Sequence, residues 1–338
     1  MTAVNSSDEI APSRMLHRLT VLIVCLVWPL IWVGGLVTTY DAGMSVPDWP
    51  GTYGYNLFLY PYKTWLFGPF DLFIEHGHRL LGAVVGFVAI GIVIAAFWKE
   101  NRRWVRWLCV ALLLMVIAQG ALGGVRVVLS DRTLAMVHGC FGPAFFAICV
   151  ILAVVTGRRW RQDSDAERLR SSTSILTPTK KLAALAISLV VLSYVQLLLG
   201  AMMRHVQPTT SAGHFAGIVS THILTAFFLW AMTGLVWLRL RRCGDLTLSR
   251  PGGILIFLVA VQIALGIGTW VVNYGWPSFM TWVPGSQSFL VQAKGFVDSM
   301  IVTGHVATGS LILAVSAMLC VRLFHRRWQA KQDRLVAT

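Results

Sequence analysis

Three observations predict an all-α, polytopic membrane protein of eight transmembrane helices, arranged as two pseudosymmetric four-helix halves with both termini in the cytoplasm. The 338 residues are 56% hydrophobic and only 12% charged, with a mean hydropathy of +0.69, outside the range of soluble globular chains. Eight apolar runs are long enough to cross a hydrocarbon core of ~30 Å, which takes about 20 residues. They lie near 17–39, 73–98, 104–126, 133–157, 181–203, 214–238, 252–273 and 298–322. Finally, the N-terminus, the second-to-third, fourth-to-fifth and sixth-to-seventh connections and the C-terminus hold 22 of the 28 Lys and Arg residues. That bias puts these segments inside and the long 40–72 and 274–297 loops outside. The formal charge of +14 is accounted for by these basic clusters, so no nucleic-acid partner is expected. The six cysteines show no CxxC or metal-type spacing and are read as free thiols.

The first run carries Gly34-Gly35 near its outer end and is followed by Val46-Pro-Asp-Trp-Pro-Gly51. The aromatics of both long loops read as interface anchors, or as a lid over something at the outer face. The second run opens on Asp71-Leu-Phe-Ile-Glu75-His76-Gly-His78-Arg79. Ionisable groups inside a membrane helix are functional candidates, and Glu75, His78 and Arg79 at i, i+3 and i+4 share one helical face. A plain i, i+4 ion pair between Glu75 and Arg79 is the alternative. His76 points to another face and is expected at the headgroups. The third, fifth and seventh runs carry Gln119-Gly-Ala-Leu-Gly123, Gln196-Leu-Leu-Leu-Gly200 and Gln262-Ile-Ala-Leu-Gly266. By themselves these indicate only close helix packing and interhelical hydrogen bonds. The polar 158–180 connection reads as a linker between an N-terminal half, 1–157, and a C-terminal half, 181–338.

The second, fourth, sixth and eighth runs all enter from the outer side, and each carries one histidine near its start: His78, His138, His222 and His305. Counted from the run starts they stand at a common depth of roughly 8–12 Å at 1.5 Å per residue. A single histidine in an apolar helix is usually a satisfied core residue; four at one depth point to ligands. Zinc or di-iron centres call for carboxylates or denser His/Glu spacing, whereas haem takes one axial imidazole per face within an apolar slot. Two haem sites follow, His78 with His138 and His222 with His305. Aligning His78 on His222 sets Glu75 against Val219 and Arg79 against Ile223, so only the first half adds ionisable groups beside its ligands. Arg126 and Arg204, at matching outer ends, are boundary cations or haem-propionate clamps. His205 and His214 are loop residues, lid contacts or propionate partners.

The chain resembles the haem A synthase family of cytochrome-oxidase assembly enzymes. The resemblance rests on Gly34-Gly-Leu-Val-Thr-Thr-Tyr-Asp-Ala-Gly-Met-Ser-Val-Pro-Asp-Trp-Pro50, on Glu75-His-Gly-His78-Arg79 and on the single histidines of the fourth, sixth and eighth runs. It implies a haem-dependent membrane oxidoreductase that converts the C8 methyl of haem O to the formyl group of haem A. In that picture haem O sits between His78 and His138, haem b sits between His222 and His305, and Glu75 and Arg79 serve turnover. It also implies a bacterial cytoplasmic or mitochondrial inner membrane, a supply of haem O from haem O synthase, and a ferredoxin-type or quinol reductant. A homo-oligomer is compatible with it. The cysteine pair that some family members carry in an outer loop is absent from this chain. The residues alone leave two rivals, a dihaem electron-transfer cytochrome b and a haem carrier without oxygenase chemistry.

Overall fold

The computed structural model describes residues 14–158, 160, 179–280, 282–291 and 295–336. Nearly all of the 158–180 linker, and Lys294 of the second long loop, lie outside the described residues. Eight long helices carry the chain: α1 (Arg14–Thr39), α3 (Phe70–Lys99), α4 (Arg103–Leu129), α5 (Arg132–Thr156), α6 (Lys180–Arg204), α7 (Ala212–Arg242), α8 (Leu246–Tyr274) and α9 (Phe296–Val336). The short helix α2 (Tyr62–Leu66) lies in the first long loop. All eight are long and apolar enough to cross a membrane, so the chain is an integral membrane protein. Among the described residues there is no β-strand, only an isolated bridge between Thr52 and Tyr55.

Side chains that satisfy the first free N–H groups start several helices. Asp131, Thr179, Ser211 and Asp245 accept from Leu134, Leu182, His214 and Thr247 at the starts of α5, α6, α7 and α8, as N-cap residues do. The seventh span, placed near 252–273, begins earlier: α8 starts at Leu246 and runs through Pro251. Proline cannot bond the carbonyl four residues back. Here that carbonyl, of Thr247, takes a hydrogen bond from Arg322 Nη1 at 3.1 Å. The eighth span likewise does not stop near 322. Its helix continues to Val336, past Arg326, whose Nε pairs with Asp245 Oδ2 at 3.2 Å.

The helices close two rings. In one, α1, α3, α4 and α5 pack in that cyclic order; in the other, α6, α7, α8 and α9 do the same. The rings meet where α9 lies against α1 and α5, and α5 against α6. This makes α5 and α9 the central helices, with 50% and 56% of their most apolar stretches buried against 17–28% for the other six. The largest core cluster accordingly runs from Ile23 and Val27 of α1 through Phe146 of α5 to Leu313 and Ala317 of α9. At the end rich in Arg and Lys, the α3–α4 corner buries Glu100, whose carboxylate holds Arg102 through Nε at 2.9 Å and Nη2 at 2.8 Å. The opposite end carries the long 40–69 and 275–295 connections and is called the loop end below. All six cysteines are free thiols.

Candidate functional site

The four histidines meet in pairs at the loop end. His78 of α3 and His138 of α5 face each other with ring centres 6.4 Å apart, and His222 of α7 and His305 of α9 repeat this at 6.3 Å. Each ring is backed by a glycine of the preceding long helix. A Cβ added to Gly34, Gly123 or Gly266 would lie 2.8, 3.0 or 3.0 Å from Cε1 of His78, His138 or His305; on Gly200 it would lie 3.5 Å from that of His222. These are the glycines of the Gln-x-x-x-Gly repeats, together with Gly34 in α1. Their repetition was visible in the sequence, but their service as imidazole seats was not.

The glutamines of the same repeats tie each helix to the histidine turn of the next. Gln119 and Gln196 donate through Nε2 to the backbone carbonyls of His138 (2.9 Å) and His222 (3.0 Å). The Gln119 and Gln262 carbonyls lie 3.1 Å from Nδ1 of His138 and His305. A carbonyl only accepts, so Nδ1 carries the proton in these two rings and Nε2 keeps its lone pair, the tautomer that ligates a metal. His78 Nδ1 approaches the Leu30 carbonyl without meeting hydrogen-bond geometry, and His222 Nδ1 has no partner.

Haem needs two facing imidazoles and little else from the protein. Two metal–nitrogen bonds of about 2.0–2.1 Å plus two ring radii place the centres of imidazoles sharing one metal about 6.3 Å apart. The two pairs match that span, and among the described residues no cluster of three or more His, Cys, Asp or Glu offers a competing metal cage. The residues fit the group. Seating by glycine then makes a contrast testable: Gly34→Ala is expected to displace His78 and lower haem content at its pair, because 2.8 Å forces a shift. Gly200→Ala, at an ordinary contact distance, is expected to leave the His222 pair intact. Haem per protein in the two purified variants checks both.

Arg204 lies within electrostatic range of His305, but among the described residues only the first pair has a buried acid beside it. Glu75 is 2% exposed; its Oε1 accepts from Arg79 Nη2 and its Oε2 from the Val46 backbone N–H, each at 2.8 Å. Arg79 also donates to the carbonyls of Val46 (2.7 Å), Asp48 (2.6 Å) and Gly51 (2.8 Å). The i, i+4 ion pair therefore exists, and in addition it binds the Val46-Pro-Asp-Trp-Pro-Gly51 loop down onto α3. Trp49 extends that loop to α4, where its indole fills the space a side chain on Gly124 would need. Asp48 folds the loop's far turn, accepting from the N–H groups of Tyr53 (2.7 Å) and Gly54 (2.9 Å). Burial acts to raise its pKa, but those two N–H groups and the nearby Arg79 hold it below the ordinary carboxylate value. The Val46–Gly51 loop is thus fastened onto α3 and α4 next to the turns that carry the first pair and its glycine seat.

His76 is a correction. Instead of lying at the headgroups it is 1% exposed, with Nδ1 3.0 Å from Thr52 Oγ1 and its ring between Tyr60 and Trp65. The first loop supplies all three partners, and nothing local to α3 could have announced them. Arg126 reaches beneath the same loop, where a Cβ on Gly43 would lie 2.7 Å from its Nη1, and its buried Nε has no partner. Glu75, His78 and His138 lie within its electrostatic range. Arg204 instead turns to α1, donating to the Gly35 carbonyl and Thr39 Oγ1. His205 ends α6 with Nδ1 3.1 Å from the Ala201 carbonyl, and His214 stands in the capped first turn of α7.

Fold and site together define a polytopic membrane protein whose loop end holds two facing pairs of imidazoles. Residues 17–223 match the family model described as cytochrome oxidase assembly protein, and the chain belongs to that family, which includes the haem A synthases. A Heme A synthase of Shouchella clausii (strain KSM-K16) is 28% identical over 206 residues, 59% of this chain and 62% of that protein. A second, of Rhizorhabdus wittichii (strain RW1), is 28% identical over 247 residues, 64% and 63% of the two chains. The chain therefore matches less than two thirds of the length of either relative. The family match ends just after His222, so His305 rests on its depth in the eighth run and on its facing His222 in the fold. Both relatives are bacterial, in keeping with a bacterial cytoplasmic membrane.

Proposed function

We propose that the protein is a haem A synthase-type oxidoreductase that oxidises the C8 methyl of haem O to a formyl group, supplying haem A for terminal oxidase assembly. One observation carries the reading: two imidazole pairs of equal span, 6.4 and 6.3 Å, of which only one lies next to a loop fastened by an acid and a guanidinium. On this reading residues 1–157 form the substrate half, with haem O between His78 and His138. Residues 181–338 hold haem b between His222 and His305, and the 158–180 linker joins the two. The loop end faces outward and both termini lie in the cytoplasm, following the Lys and Arg bias. Haem O synthase supplies the substrate and a ferredoxin-type or quinol donor the electrons; assembly into a homo-oligomer is compatible with the exposed helix faces.

When bound, haem supplies the redox chemistry and oxygen activation. The chain's own residues orient the substrate and exclude water. Both oxygens of Glu75 are engaged, by Arg79 and by Val46 N–H, so the carboxylate holds the Val46–Gly51 loop in register next to the first pair. Each oxygen accepts one bond and keeps a further lone pair, so a proton can still be carried there. Arg126 has a partnerless buried Nε and a guanidinium suited to a carboxylate, which makes it the clamp for a haem propionate. Arg126→Ala is expected to lower haem retention at the first pair; an unchanged haem content dismisses the clamp.

The reading is tested by extracting haems from cells with and without the protein and comparing them by chromatography and mass. Appearance of a formyl-bearing haem only with the protein supports the synthase. Protein-bound haem b with no new haem species would make it an electron-transfer cytochrome. Bound but unmodified haem O would make it a carrier.

A further inference from the structure

Arg204 stands on α6, one turn beyond Gly200, yet its guanidinium crosses to α1 of the other ring. Its Nη2 donates to the Gly35 carbonyl and to Thr39 Oγ1, each at 2.6 Å. Thr39 Oγ1 donates to the same carbonyl at 2.9 Å and lies 3.4 Å from Thr303 Oγ1 on α9. Gly35 and Thr303 touch so closely that a Cβ on Gly35 would lie 2.7 Å from Thr303 Cγ2, and Thr303 is fully buried two residues before His305. The neighbouring residue in α1, Gly34, backs His78. Successive residues of one helix therefore contact His78 of the first pair and, through Thr303, the α9 turn that carries His305 of the second, and Arg204 pins Gly35.

We infer that Arg204 is a positioning residue shared by the two sites: by holding the Gly35 carbonyl against α6 and α9 it sets where Gly34 stands behind His78 and where the Thr303 turn of α9, which carries His305, stands against α1. The inference rests on the haem reading of those pairs and assigns Arg204 a task other than clamping a propionate. A propionate clamp acts only when haem is present, whereas a strut between helices acts in the haem-free protein as well. Charge-assisted hydrogen bonds to two acceptors on another helix give the guanidinium the geometry for it.

The test has two arms. In haem-free protein, thermal unfolding is compared for Arg204→Ala, Thr39→Val and the double variant. A strut requires Thr39→Val to lower the midpoint less on the Arg204→Ala background than on the wild type; additive losses overturn it. In haem-loaded protein, His222→Ala is used to empty the second pair, so that remaining haem reports on His78 and His138. On that background Arg204→Ala is expected to cut haem occupancy about ten-fold, the equivalent of one charge-assisted hydrogen bond. The low-spin spectrum should shift as well, and Arg204→Lys should recover part of both. Unchanged occupancy and spectrum overturn the positioning role even if the unfolding arm shows coupling. If the His222→Ala parent binds no haem while His78→Ala leaves wild-type haem binding intact, the haem reading of the first pair fails, and this inference with it.

Discussion

Glu75→Ala is expected to lower formation of the formyl haem by about 10²-fold, the cost of a misplaced substrate, while the purified protein still carries haem. The carboxylate is buried against Arg79 and the Val46 N–H, and the substitution removes both bonds at once. Separating a buried pair costs about 3–5 kcal/mol when one charge is left alone. Here the loss falls toward the lower end, because Arg79 keeps three loop carbonyls as acceptors. What is lost is the register of the loop at Val46: its N–H is orphaned, while Arg79, Trp49 and the Thr52–His76 contact still hold the rest. Glu75→Gln separates the two contributions, since its amide oxygen can still accept from Val46 but the charge on Arg79 is no longer balanced. Haem content and extracted haem species are measured together for both variants. Normal haem A output from a haem-loaded Glu75→Ala protein would end the role proposed for this residue.

His222→Ala is expected to remove the low-spin b-type spectrum of the second site. Its ring faces His305 across 6.3 Å with no other His, Cys, Asp or Glu cluster nearby among the described residues, so no side chain can replace it. The fold should survive: His222 makes no side-chain hydrogen bond, and the helix contact at this level runs from Gln196 to its backbone carbonyl, which alanine retains. The His78 pair is therefore expected to keep its own haem signal. A b-type spectrum of wild-type intensity in the variant refutes the assignment of His222.

These two variants differ in how much of their rationale was legible before the fold was known. The pairing of His222 with His305 followed from depth alone, because four co-directional helices of similar length carry their histidines near the same end. Depth along a membrane helix is one-dimensional information, and rise per residue supplies it. Glu75 and Arg79 were legible as neighbours on one helical face, and the ion pair at 2.8 Å is the local contact that spacing dictates. Their bonds to Val46, Asp48 and Gly51 cross some thirty residues of loop without periodicity, and no pattern in the sequence announces them. His76 failed for the same reason: its partners Thr52, Tyr60 and Trp65 all lie outside its own helix. Pro251, inside α8, locally favours a break. Only the arrival of Arg322 at the Thr247 carbonyl shows why the helix continues.

The sequence by itself determined an eight-span helical membrane protein, the depth of its four imidazoles and the half that carries the extra acid and base. All three depend on hydropathy and helical period, which act within a single segment. The tertiary structure alone decided that glycines of the odd-numbered spans seat the imidazoles of the even ones. It likewise decided that a loop reading as interface anchors is fastened onto α3 and α4 next to the first pair, and that Arg204 of one ring holds α1 of the other. Those outcomes depend on which helix faces meet and at what register, a choice made by packing among segments far apart in the chain.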